Sequence, residues 1–326
     1  MSQQLSCENY NSSWTSAATA LLSACRYYKP ELTMIEFMGY SGHAFRININ
    51  ADDVDVAGPT GYDWESFFRK GLSNLGFTCR AIRTVNFTPP SPQELTDAMS
   101  LIQNSIDKGI PAICWDMFIP EFGNIYGYDD DKKEFMAKDP GGNGTLPYEK
   151  LGRGQINELF VMSVEDTNEM DKSKQLKGAL ELAIDHAYQR VHEDHLPPYE
   201  NGIKGYDAWI QAFQKQQVSD FGNAYNVAVV HDARRFAAKF FSKLAQEWDE
   251  EMENGETIKN LAFEASKFYD KVVTQLELLV NMYPFPDGGN PNHSKQAQQT
   301  IEILGKAKQA EEHAVQTLEN MLYELK

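Results

Sequence analysis

Apolar positions along the chain fall into two textures. In the middle, residues 110–116 form a near-continuous apolar run after Gly109, residues 122–128 a second and residues 134–138 a third. The acidic turn Asp129-Asp130-Asp131 separates the last two. Short apolar runs bounded by turn residues predict three antiparallel strands in a meander.

Ahead of the meander, SSWTSAATALLSACRYY sets Ala17, Leu21, Ala24, Cys25 and Tyr28 on one helical face, with Ser12, Ser13 and Thr15 competent to cap its start. The run TMIEFMGYSGHAFRININ predicts a short helix, a turn over residues 39–42 and a strand in which Ala44, Phe45 and Ile47 begin the apolar run. Asp63 caps the next predicted helix, which holds Trp64, Phe67, Phe68, Leu72 and Leu75 inward and stops at Gly76. TCRAIRTV reads as a strand, and Pro89, Pro90 and Pro92 open a helix that runs to Asp107. After Asp139-Pro140, a glycine-rich stretch reads as a loop and LFVMSVED as one more strand.

Beyond about Asp166 the texture changes to long segments with helical periodicity, predicted at 172–194, 206–217, 221–252, 257–282 and 293–325. Phe236, Phe240, Leu244 and Trp248 recur at threes and fours on one segment; Leu261, Ala265, Phe268, Val272 and Leu279 do so on another. The expected organisation is an α+β domain over residues 1–165 and an all-α helical bundle over 166–326. A chain of 326 residues with 42% hydrophobic content has enough material for two cores.

Charge then narrows the partners. With 30 basic and 47 acidic residues the formal net charge is −17, which speaks against nucleic acid and anionic membrane surfaces, since both need a basic footprint. No basic-then-apolar leader opens the chain, and no apolar run approaches the ~18 residues that a membrane span needs. The expected compartment is the cytoplasm. Cys7, Cys25, Cys79 and Cys114 form no CxxC pair, which fits reduced thiols better than a disulfide frame or zinc site.

Two histidine groupings carry residue types that bind metals. His186, His192 and His195 lie with Glu193 and Asp194 near a helix end, where imidazoles also complement the carboxyl-end dipole. Glu311, Glu312 and His313 resemble half of a di-iron motif but have no second Glu-x-x-His partner. Both read as helix-surface residues, so no metal and no cofactor is expected.

The run SSWTSAATALLSACRYY followed by EFMGYSGHAF resembles the amino-terminal signature of the butirosin biosynthesis protein H family. In that papain-like acyltransferase group, HC-x-T-T-A-x-x-x-LL-x-x-x-G precedes a G-x-G-x-x-F turn. The resemblance spans nearly the whole chain at low identity and implies a papain-like fold followed by a helical region. It places Ser13 at the nucleophilic cysteine, Ser12 at the neighbouring histidine, Glu121 at the base and Asp139 at the carboxylate that orients the base. Only the aspartate keeps the family residue type.

These replacements set the functional expectation. A serine hydroxyl needs a positioned base to become nucleophilic at neutral pH, whereas a thiol is already partly ionised. Glu121 serves as a base only if burial or a like charge such as Asp139 raises its pKa. Cys7 is the alternative nucleophile, but it lies six residues before Ser13, has Glu8 beside it, and finds no Lys or Arg between Met1 and Arg26 to favour a thiolate. Trp14, His43, Trp115 and Tyr126 are the expected ligand-binding residues, and His43 is the sole histidine before residue 186. The expectation is a papain-like protein with a degenerate triad that binds a small molecule or peptide, a carrier-bound acyl group included. The alternatives are an acyltransferase or an amide or thioester hydrolase working through Cys7 or Ser13, and a scaffold that dimerises through its helices.

Overall fold

The computed structural model describes residues 2–6, 12–190 and 197–325. The amino-terminal half holds β1 (Ser2–Gln4), α1 (Ser16–Cys25), α2 (Met34–Tyr40), β2 (Asn48–Asn50), α3 (Trp64–Asn74), β3 (Phe77–Arg83), α4 (Pro92–Asp107), β4 (Ala112–Trp115), β5 (Phe122–Asp129), β6 (Glu134–Asp139), β7 (Gly142–Pro147) and β8 (Phe160–Thr167). There follow α5 (Lys172–Ala187), β9 (Tyr199–Asn201), α6 (Ile203–Lys215), α7 (Asp220–Glu247), α8 (Gly255–Met282) and α9 (Ser294–Glu324). The chain divides into one unit of Met1–Phe37 with Leu75–Glu169 and a second of Met38–Asn74 with Met170–Lys326.

These units are not the two halves of the sequence. Residues 38–74, assigned above to the first domain, belong with the carboxy-terminal helices. Their attachment is tertiary: β2 pairs antiparallel with β9, and a 3₁₀ turn at His43–Phe45 packs on α7. Periodicity carries no record of a strand pairing with another some 150 positions away.

The first unit is built on an antiparallel sheet in the order β3-β8-β4-β5-β6-β7, with β1 added beside β5. The predicted meander of 110–116, 122–128 and 134–138 appears as β4, β5 and β6. Strand alternation sorts its side chains onto two faces. Ala112, Cys114, Ile125, Phe135, Ala137 and Val161 pack with Ala98, Leu101, Ile102 and Ile106 of α4 on one face. Asn124 takes the other face, where its amide donates to Ala20 O of α1 at 3.0 Å. A Ser91–Glu94 capping box and Pro92 start α4.

Four predicted details change. The glycine-rich stretch after Asp139 is strand β7, because its backbone pairs with β6 from Asp139↔Gly142 to Glu134↔Pro147 despite side chains of low strand propensity. The expected strand at Ala44 and Phe45 is instead the 3₁₀ turn, entered through left-handed Gly42 (φ 83°), and extended pairing starts at Asn48. The predicted helix 221–252 ends as α7 at Glu247, where Trp248 turns to ψ 138°. The helix predicted at 172–194 ends at Ala187, and residues 191–196 lie outside the described residues.

In the second unit Ile47, Ile49, Tyr206, Trp209, Phe213, Val227, Leu276, Leu279 and Leu304 share one core. Arg234 of α7 is fully buried beside it. Its Nε donates to Glu311 Oε2 of α9 at 2.9 Å, its Nη2 to Glu311 Oε1, and its Nη1 to the carbonyls of Ala44 and Arg46 at 3.1 and 2.8 Å. Tyr206 of α6 adds its hydroxyl to Glu311 Oε2. Each of the three guanidinium nitrogens thus donates to at least one oxygen, the kind of pairing under which a buried charge is tolerated.

Two predictions concern this unit. Glu311→Gln leaves a buried guanidinium without its counter-charge and is expected to cost about 3–5 kcal/mol in urea unfolding. A loss below ~1 kcal/mol would mean that the pair does not hold these helices together. The second concerns acid. Burial, with Arg46 adding to it, lowers the pKa of His43 from 6.5 to about 3. The unfolded chain therefore takes up a proton near pH 6.5 that the folded one refuses, and stability falls by up to ~1.4 kcal/mol per pH unit below that point. Buried His186 acts in the same direction. Asp116 and Asp139, raised by burial, act with the opposite sign at lower pH. Urea midpoints measured from pH 7 to 5 should show the slope, and His43→Gln should flatten it.

Candidate functional site

Of the residues singled out by the sequence, Ser13 and Trp14 precede α1 and Glu121 precedes β5, at the seam where the helix meets the strand. All ten residues of α1 are buried, and small side chains (Ala17, Ala18, Ala20, Ala24) let the helix lie close on the sheet. Its N-cap, Thr15, makes no side-chain capping bond. The Ser13 hydroxyl accepts from Thr15 N at 3.0 Å, fixing the entry of the chain into the helix.

The closest link between helix and strand is made by Ser16, the first residue of α1. Its hydroxyl donates to Glu121 Oε2 and accepts from Phe122 N at 3.2 Å. The Glu121 carboxyl group thereby sits at the amino end of α1, beside its first turn. Sequence reasoning named Ser13 and Glu121 but missed Ser16. Periodicity gave no signal for it, because Ser16 lies about 100° from Ala17 and off the face predicted through Ala17, Leu21, Ala24, Cys25 and Tyr28, although every residue of α1 is buried.

Asp139 has a different task. Its Oδ2 accepts from Phe118 N and Ile119 N at 2.8 and 3.2 Å, and its Oδ1 from Gly141 N and Gly142 N at 2.7 and 3.2 Å. It therefore clamps the loop between β4 and β5 to the turn between β6 and β7. Burial pushes its carboxyl above the usual range, against four amides that favour the ionised form. A β-carbon on Gly123 would lie 2.7 Å from Asp139 Cβ and 2.2 Å from Lys138 O, so this strand position accepts only glycine.

Asp116, absent from the sequence-based set, braces the same loop. Its amide donates to Glu121 O at 3.0 Å, and its Oδ2 accepts from Ile156 N at 2.6 Å. Its φ of 54° places a non-glycine residue in the left-handed region, beside Gly154, whose missing side chain allows the approach. Burial raises its carboxyl as well.

The remaining candidates are dispersed. Trp14 is 44% exposed at the entry to α1. Trp115 is buried with its ring 4.9 Å from that of Phe122. The Tyr126 hydroxyl donates to Asn143 Oδ1 of β7 at 2.7 Å. His43 belongs to the second unit, where its ring packs on Phe67 and Phe68 and its Nδ1 shares a 2.8 Å hydrogen bond with Ser41. Cys7 lies outside the described residues. So do His192 and His195, while Glu311 of the other histidine grouping is the partner of Arg234.

All seven histidines fall in the second unit, so the first contains no imidazole. Burial pushes the Cys25 and Cys114 thiols up, which keeps them protonated and inert. Among the described residues no group of three or more His, Cys, Asp or Glu side chains could hold a metal ion, and no helix is long and apolar enough to cross a membrane. No protein-family model matches the chain, and no curated protein matches it.

The seam makes a stability prediction. Ser16→Ala strips a partner from both Glu121 and Phe122 N and is expected to cost about 1–3 kcal/mol. Gly123→Ala drives a methyl group into the β6 backbone at a similar cost of about 1–3 kcal/mol. Urea unfolding of the full chain measures both. A neutral Ser16→Ala would show that the Ser16–Glu121 bond does not tie helix to sheet.

Proposed function

We propose that this chain is a non-catalytic relative of papain-like acyltransferases and cysteine peptidases, which holds a small acyl or peptide ligand without turning it over. The observation that carries the reading is the Ser16–Glu121 bond. The carboxylate at the family's base position is spent on the first hydroxyl of α1, and that hydroxyl also accepts from Phe122 N. A hydroxyl bonded to a carboxylate has the geometry of a nucleophile with its base, but the Ser16 oxygen is buried and also accepts from Phe122 N, so we read the pair as a structural tie.

The other triad positions support the same reading. Ser13 receives the Thr15 amide, and Asp139 is engaged by four backbone amides. The unit has no imidazole to replace the missing base. What the papain-like comparison leaves intact is a helix amino terminus next to an exposed Trp14, a pairing suited to an acyl or peptide carbonyl and its apolar substituent.

Labelling and thermal stability test the proposal together. A fluorophosphonate probe is expected to leave Ser13 and Ser16 unmodified, and iodoacetamide to alkylate Cys7 at the rate of a simple thiol. Short N-acyl peptides are expected to raise the Tm without being consumed, an effect of RT ln(1 + [L]/Kd). Stoichiometric labelling of one serine, or Cys7 titrating well below pH 7, would establish the enzyme instead. No shift in Tm, together with a concentration-dependent dimer, would establish the scaffold.

A further inference from the structure

The second unit holds a cleft of about 220 Å³ at the meeting of three helices. Its floor is apolar, formed by Ala187, Ile203 and Val315, and the Tyr188 ring lines it alongside. Gln189, whose amide donates to Glu200 Oε2 at 2.7 Å, and two charged side chains of opposite sign, Lys204 and Glu312, complete the lining.

The polarity of the cleft is organised by the backbone as well. Helix α5 ends here, at its C-cap Tyr188, and presents the negative end of its dipole. Helix α6 begins here after Gly202, an N-cap with no side-chain bond, and presents its positive end. Lys204 stands in the first turn of α6 and adds to the positive pole. Glu312 belongs to the other pole: after burial and Glu319, its charge contributes to the raised pKa of the Tyr188 phenol.

The two poles do not cancel each other. Glu312 has Lys308 at 3.8 Å, and Lys308 is held more closely by Asp207 at 2.7 Å. Lys204 has no ion-pair partner among the described residues. The edge of the cleft is firmly held, because His186 Nε2 accepts from Ile47 N at 3.0 Å and from Gly202 N at 3.3 Å.

We propose that this cleft binds a small zwitterion with an apolar body, of which an apolar α-amino acid is the simplest example. Its carboxylate lies at the α6 amino terminus and Lys204, its ammonium group at Glu312 and the α5 carboxyl end, and its side chain on Ala187, Ile203 and Val315 against Tyr188. The volume is below the range of about 300–1,000 Å³ usual for larger ligands, which restricts the occupant to this size class. The site is independent of the α1–β5 seam.

Calorimetric titration of the full chain tests the proposal with L-leucine, N-acetyl-L-leucine and L-leucinamide. Saturable binding of L-leucine is expected, weakened at least ~tenfold by blocking either its ammonium or its carboxylate group. Lys204→Met should abolish the distinction between leucine and leucinamide, and Glu312→Gln that between leucine and N-acetyl-leucine. Both positions are solvent-exposed, and an unchanged Tm certifies the fold of each variant. Absence of saturation up to ~10 mM L-leucine overturns the proposal. Binding indifferent to both variants does the same. Binding that is lost in Ser16→Ala and kept in Lys204→Met assigns the ligand to the seam and equally overturns it.

Discussion

One buried ion pair governs the second unit. Arg234 joins α7 to α9 through Glu311, to α6 through the Tyr206 hydroxyl on the same carboxylate, and to the segment before β2 through Ala44 O and Arg46 O. A guanidinium group removed from water is costly, and its geometry has to be satisfied at once by all these elements. That requirement explains why residues 38–74 fold with helices that follow them by more than a hundred positions. The hydrophobic core supplies attraction without direction, whereas the forked donors of Arg234 specify which backbone carbonyls approach α7.

The first unit obeys a different constraint, set by the ends of its central strand. β5 lies between β4 and β6, and both of its faces are covered within the unit, by α4 on one side and α1 on the other. Its start carries the chemistry: Glu121 meets α1 through Ser16, Gly123 yields space to Asp139, and Asp116 fixes the turn that leads in. Each polar side chain there completes a backbone or hydroxyl bond that would otherwise be missing. In the reading proposed above, the groups that would supply catalysis in a papain-like cleft supply cohesion here.

The two candidate ligand sites differ in physical character. At the α1 terminus, one helix pole and an exposed tryptophan offer recognition of a carbonyl group with little enclosure. In the cleft between α5, α6 and α9, opposed helix poles and opposed side-chain charges offer recognition of both ends of one small molecule. Neither depends on an activated nucleophile.

What the sequence determined by itself was local. Apolar alternation and turn residues located β4, β5 and β6 almost to the residue, and threes-and-fours periodicity located α6, α8 and α9, because these signals arise from each element burying one face. The glycine-rich β7 was hidden, since its pairing is made by backbone atoms that no side-chain pattern reports. Of the candidate site, Glu121 and Asp139 were named through the family resemblance, but their partners were not. Ser16 rather than Ser13 carries the bond described at Glu121, because which hydroxyl faces the strand depends on the rotation of α1 against the sheet. The pairing of Arg234 with Glu311 was decided in the same way. Both are charged residues on periodic helices, and only the packing of α7 against its neighbours turned those two inward.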